Sequence, residues 1–376
     1  MENNHSTNFV IEMTSVFEST TTSPPTGIEE FGIIYGKIHG HLSIFVCIFG
    51  IISNVLNIIV LTRKHMLSPT NFILTALAIA DMLTMTTYPI MAIYINILTG
   101  PDCINKHHPR EWMYFILFHN LFIVTCHNIA MWLTVSLAVF RYIFVCMPTR
   151  AMTLCTSDRA KLTVAIVVVG TIIICTPNYV MYQVVDYNAN TNLTYCYIIA
   201  DSNFALDHPQ YTQFTKWLYG VVIKILPCIL LTFLSALLIS AMQQARRRRV
   251  RLLSSSNRAS GHDHQSSEHN RTTMMLVMVV LFFVITELPQ GIVALIGGIS
   301  DHFWNNVYVH LGDFMDILVL VNSAVNFILY CIMSQQFRSA FRNLFVGKNM
   351  PSLMKKNTKE NGTPTYSVVK TEVTQL

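Results

Sequence analysis

Charged and polar side chains stand inside apolar runs of this sequence, where a lipid environment would make them costly unless they face a polar interior. Asp81 closes the string LALAIAD, deep within such a run. A carboxylate there is either an ion or proton site or a packing node of an internal polar cluster, with Asn54, Asn322, Ser323 and Asn326 from other runs as its company. A sodium ion could bind at Asp81. Toward the opposite end of the runs lie His119, His127, Lys224, Glu287, Asp313 and Asp316. Three acids around one mouth would make an electronegative recess for a cationic group. Asp313 and Asp316, three residues apart, share a helix face. The other arrangement is that Lys224 neutralises Glu287 while Asp313 meets water at a helix end. Covalent chemistry has no comparable support: H-E-x-x-H, a Walker A run, a G-x-G-x-x-G turn and a paired-cysteine metal signature are all missing from the sequence. The expectation is a protein that is not an enzyme and takes no cofactor beyond that sodium ion.

The elements that would carry these residues are seven apolar stretches, at about 42–61, 72–96, 113–139, 162–182, 217–241, 274–298 and 310–332. Each is long enough for a helix across a hydrocarbon core roughly 30 Å thick. Only 12% of the 376 residues are charged and 52% are apolar, too few charges to cover a water-soluble fold of this size. The predicted class is an all-α membrane protein, a seven-helix bundle over 38–335, with a polar N-terminal tail over 1–37. Beyond it come a short amphipathic helix over 336–346, where Phe337, Ala340, Phe341 and Phe345 share one face, and a regulatory tail over 347–376.

Basic residues set the orientation. With the N-terminus outside, four Lys and Arg residues fall on external segments and twenty on internal ones, which places the N-terminus outside the plasma membrane and the C-terminus in the cytoplasm. The net charge of +5 is therefore mainly a topology signal, and nothing beside it suggests nucleic acid. The sequons at Asn4 and Asn192 then lie outside, where glycosylation occurs. Cys103 and Cys196 also fall in external loops, where they could pair, remain free or bridge to another molecule. The tail carries Ser and Thr residues suited to phosphorylation, and its last residues, V-T-Q-L ending at Leu376, suit capture in a PDZ-type groove.

LALAIAD at Asp81, FRYIFVCMP around Arg141 and NSAVNFILY from Asn322 to Tyr330 together resemble a rhodopsin-like G-protein-coupled receptor over about residues 38–346. WLTVSLAVFRYIFVCMP and FFVITELPQG are most similar to the invertebrate myosuppressin-type and other FMRFamide-like neuropeptide receptors. The resemblance implies an amidated neuropeptide agonist, often ending in Arg-Phe-amide, held by Glu287, Asp313 and Asp316 beside His119 and His127. It implies a heterotrimeric G protein bound on the cytosolic side, with Arg141, Tyr330 and Asn326 in the switch, and an arrestin and a receptor kinase acting on the tail. A receptor for a myoinhibitory or sex-peptide type ligand is the near alternative, and a membrane transporter the alternative of another class. Some motif positions depart from the family: Phe140 stands where an acid usually precedes the arginine, Phe327 where proline is usual, and TELPQG around Glu287 replaces an aromatic segment. Without an adjacent acid, Arg141 loses a charge-assisted restraint, so raised basal signalling is expected.

Overall fold

In the computed structural model the described residues are 27–99, 108–186, 197–254, 282, 285–293, 295–296 and 300–345. Six helices among them are long and apolar enough to cross a membrane. We label them α1 (Gly27–Leu61), α2 (Pro69–Thr86, prolonged by Tyr88–Ala92 and Ile93–Thr99), α3 (Arg110–Cys146), α4 (Ser157–Met181), α5 (Pro209–Trp217 and Leu218–Ile225 leading into Leu226–Ser254) and α7 (Val309–Met333). The sequence-predicted span at 274–298 is described chiefly over its helical segment 285–293, which we label α6. A last helix, α8 (Gln335–Phe345), follows α7.

Local chemistry explains where the helices begin and bend. Ser68 caps α2 by accepting the Asn71 amide at 3.1 Å, and Pro69 fills the first turn, where its missing N–H costs nothing. Pro89 interrupts α2 after Thr86, and the chain then widens into a π-helical turn over Ile93–Thr99. Leu218–Ile225 widens in the same way just ahead of Pro227, so that Lys224 leaves the ordinary helical register. Pro177 lies inside α4. Phe327, in place of a proline, leaves α7 helical from Val309 to Met333.

Helix α1 lies along α7 and α2, α2 lies against α3, and α3 meets α4 and α5. The α1 contacts are close because they use glycine. A Cβ on Gly40 would stand 2.5 Å from the Asn96 Cβ, and one on Gly50 would collide with the Met85 thioether and press on Ala324. Small residues that let backbones approach are the usual packing device in lipid. Isoleucine and phenylalanine side chains such as Phe45, Ile166, Ile173 and Phe233 point outward, as lipid contact requires.

Two departures from the sequence expectation concern the ends. Helix α1 begins at Gly27, within the stretch expected to be a polar tail, because Phe31 and Tyr35 stack on each other and meet the Phe314 ring edge-on at 5.7 and 5.8 Å. The long connection after α4 forms a hairpin, β1 (Tyr182–Asp186) against antiparallel β2 (Tyr197–Asp201), with Tyr182 opposite Asp201. We call this end of the bundle the hairpin face. Ile199 of β2 is buried in a cluster with Tyr94, Met113 and Ile116. At the opposite, basic face, α8 turns Phe337 and Ala340 into the bundle against Tyr330 and Phe327, while Phe345 stays half exposed. The predicted apolar face of α8 thus seals the foot of α7.

Candidate functional site

Near the hairpin face, α1, α2 and α7 meet around two acids. His39 Nε2 is 2.9 Å from the Tyr88 hydroxyl, and that hydroxyl donates to Asp316 Oδ2 at 3.1 Å. A hydroxyl has one proton to give, so His39 must donate to the tyrosine oxygen, and the chain runs from α1 through α2 to α7. Asp313 Oδ1 is 3.9 Å from the same imidazole nitrogen. Its side chain is 39% exposed, whereas His39 is buried. A Cβ on Gly36 would meet this carboxylate at 3.5 Å, an ordinary van der Waals contact. Phe31, Tyr35 and Phe314 form an aromatic wall on the same side. His119 is buried next to it, 2.7 Å from Thr87 Oγ1, with its ring edge-on to Tyr88.

Glu287 belongs to a different tier. It is fully enclosed, and its carboxylate accepts from His127 Nε2 at 3.1 Å and from Asn322 Nδ2 at 3.3 Å, with Lys224 Nζ at 3.9 Å. The Lys224 ammonium also donates to Gln290 Oε1 at 2.8 Å and lies over the Tyr219 ring at 5.9 Å. Helices α3, α5, α6 and α7 therefore converge on one charge. Breaking such a buried pair by removing one partner typically costs about 3–5 kcal/mol, because the other charge is left uncompensated. Asn322 follows Asp316 by six residues on α7, so the two tiers stand roughly 9 Å apart along that helix. The three acids expected around one mouth are thus divided: Asp313 and Asp316 share the His39–Tyr88 cluster, and Lys224 with His127 occupies Glu287 beneath it.

Further toward the basic face, Asn326 donates to Asp81 Oδ2 at 2.8 Å. Asn54 reaches the Gly50 and Ser323 carbonyls at 3.0 and 2.9 Å, and Ser53 the Ala324 carbonyl at 3.1 Å. Asp81, Asn54, Asn326 and Ser323 thus come together, while Asn322 joins the Glu287 tier instead. Oxygen donors suited to a sodium ion are present in the Asp81 carboxylate and in the Asn54 amide oxygen, which is buried with no protein partner among the described residues. Phe140 is buried between α3 and the chain around Cys155 and Ala160, and among the described residues the neighbouring Arg141 makes no ion pair. Tyr330 is buried, its ring centre 5.6 Å from that of Phe337.

On the hairpin, burial raises the Asp201 carboxyl above its usual range, and Lys216 pulls it the other way. Asn4, Asn192, Cys103, Cys196 and Leu376 lie outside the described residues, as does the tail over 347–376. Sequence reasoning missed His39, Tyr35 and Tyr88. Tyr88 lies within an apolar run, but Tyr35 and His39 precede the run at 42–61, and the partnership of the three depends on how three helices cross.

A family model for serpentine type 7TM GPCR chemoreceptors (Srw) matches residues 41–348. The chain is similar to the G-protein coupled receptor dmsr-1 of Caenorhabditis elegans, with 31% identity over 83% of this chain and 69% of that one. It is similar to the sex peptide receptor of Drosophila melanogaster, with 32% identity over 88% of this chain and 76% of that one. It is also similar to the FMRFamide receptor of Drosophila melanogaster, with 27% identity over 83% of this chain and 54% of that one.

Proposed function

Because the chain belongs to the serpentine-type seven-transmembrane G-protein-coupled receptors, we propose that it is a receptor for an extracellular peptide. It signals through a heterotrimeric G protein and performs no covalent chemistry of its own. In this reading the hairpin face is extracellular and the basic face cytoplasmic, in keeping with four basic residues on one side against twenty on the other.

The observation that carries the ligand reading is the α7 acid pair in its aromatic setting: Asp313 reaches solvent, and Asp316 is held by Tyr88. A cationic group of the peptide makes charge-assisted hydrogen bonds there, and an aromatic side chain packs among Phe31, Tyr35 and Phe314. Binding favours an arrangement that opens the basic face to the G protein, with Arg141, Asn326 and Tyr330 in the switch.

A peptide of the myoinhibitory or sex-peptide type ranks first among ligands, supported by the higher identity and fuller coverage of the sex peptide receptor. An Arg-Phe-amide peptide of the FMRFamide-like or myosuppressin type ranks second, supported by the FMRFamide receptor. The test is G-protein activation in cells displaying the chain, across both peptide classes, with the free-acid form of each amidated peptide as control. Activation by one class, lost without the amide where the peptide is amidated, supports the reading. Silence of every peptide at verified surface display contradicts it.

A further inference from the structure

Glu287 is enclosed by protein, and the groups that reach its carboxylate come from three other helices: His127 from α3, Lys224 from α5 and Asn322 from α7. Lys224 is itself buried, so its ammonium has exchanged water for Glu287, Gln290 and the face of Tyr219. Attraction between opposite charges is far stronger at a given distance in such a site than in water, so the 3.9 Å separation of Lys224 and Glu287 still counts. Pro289 follows Glu287 by two residues and removes a backbone donor from α6 at this level. The backbone there is loosened where the side chains are most tightly tied. Any movement of α6 away from α3 and α5 must separate charges that have no water to replace their partners.

We propose that Glu287 is an interhelical lock: its carboxylate holds α6 to α3, α5 and α7 in the quiescent receptor, and signalling requires its separation from Lys224 and His127. This goes beyond the ligand reading and does not depend on it, since the lock acts whether or not a peptide is the agonist. A ligand would act on the lock from above, through the roughly two turns of α7 between Asp316 and Asn322.

The test uses the full chain displayed in cells, with no peptide added, and measures nucleotide exchange on one representative of each Gα class at matched surface density. Glu287→Gln and Lys224→Met should each raise basal exchange at least about fivefold, the lower end of ordinary coupling between states. The exchanged pair, Glu287→Lys with Lys224→Glu, should return it toward the unsubstituted level. A variant that only loosened the fold would lower display and output instead. Unchanged or lowered basal exchange at matched display overturns the lock, as does an exchanged pair that stays at the level of the single variants. Loss of display in both single variants, recovered in the exchanged pair with ordinary basal output, would also overturn it by making the pair a folding element. Failure of the peptide panel leaves these outcomes untouched, so the two readings fall separately.

Discussion

In the proposed reading Asp316 takes a ligand's charge, and its position rests on a tyrosine that the sequence does not advertise. Asp316→Asn should weaken activation by the peptide agonist at least about tenfold, a loss of roughly 1.4 kcal/mol if the effect is all in binding. Unchanged half-maximal concentration at equal display would remove Asp316 from the contact set. Tyr88→Phe deletes the donor to Asp316 and leaves His39 with no oxygen at 2.9 Å to donate to. It should therefore weaken activation too, and combining it with Asp316→Asn should add little, because both act on one carboxylate. Fully additive losses in that double variant would show that the tyrosine works elsewhere. Phe140→Asp should lower basal output by placing a carboxylate beside Arg141, at the cost of a buried ring. Equal basal output at matched display would sink that account of the missing acid. The acids themselves were legible in the sequence, since a carboxylate in an apolar run is conspicuous. Pairing of Lys224 with Glu287 was one of the two arrangements the sequence left open, and the choice between them depends on Lys224 turning inward from a π-helical turn whose spacing no periodic pattern reveals.

At the scale of elements, six of the seven apolar stretches appear among the described residues as membrane-length helices, each close to its expected core and longer than expected at one or both ends, and the described part of the seventh is helical too. Hydropathy finds the lipid-crossing part of a helix and is blind to a prolongation that is held by stacking, as at Phe31 and Tyr35 of α1. The hairpin was missed for a related reason: YQVVD and YIIAD are short, and only their pairing with each other makes them strands. The glycines of α1 give an ordering that can be checked. Gly40→Ala sets a new Cβ against the Asn96 Cβ, which is fixed to its backbone, whereas Gly50→Ala meets mainly the end of Met85, which can swing aside. Gly40→Ala should therefore cost more, about 1–3 kcal/mol, read as a lower melting temperature of the detergent-solubilised receptor. The reverse order would mean that α1 can shift on α2 more easily than Met85 can change rotamer.

Across the whole molecule, composition and basic-residue placement already pointed to a polytopic membrane protein, and the family match over residues 41–348 agrees with the extent read from the motifs. The choice of peptide was the least legible part, because a few acids and aromatic rings recognise a charge and a ring without specifying the sequence that carries them. What unites the molecule is the claim that a peptide at the hairpin face and a G protein at the basic face act on one equilibrium. Linkage then requires each to strengthen binding of the other by the same factor. The most direct measurement is the affinity of the activating peptide for the purified receptor in lipid nanodiscs, with and without nucleotide-free heterotrimeric G protein. Affinity that rises at least about fivefold with the G protein present is the predicted result, and equal affinity in its presence and absence would contradict the account.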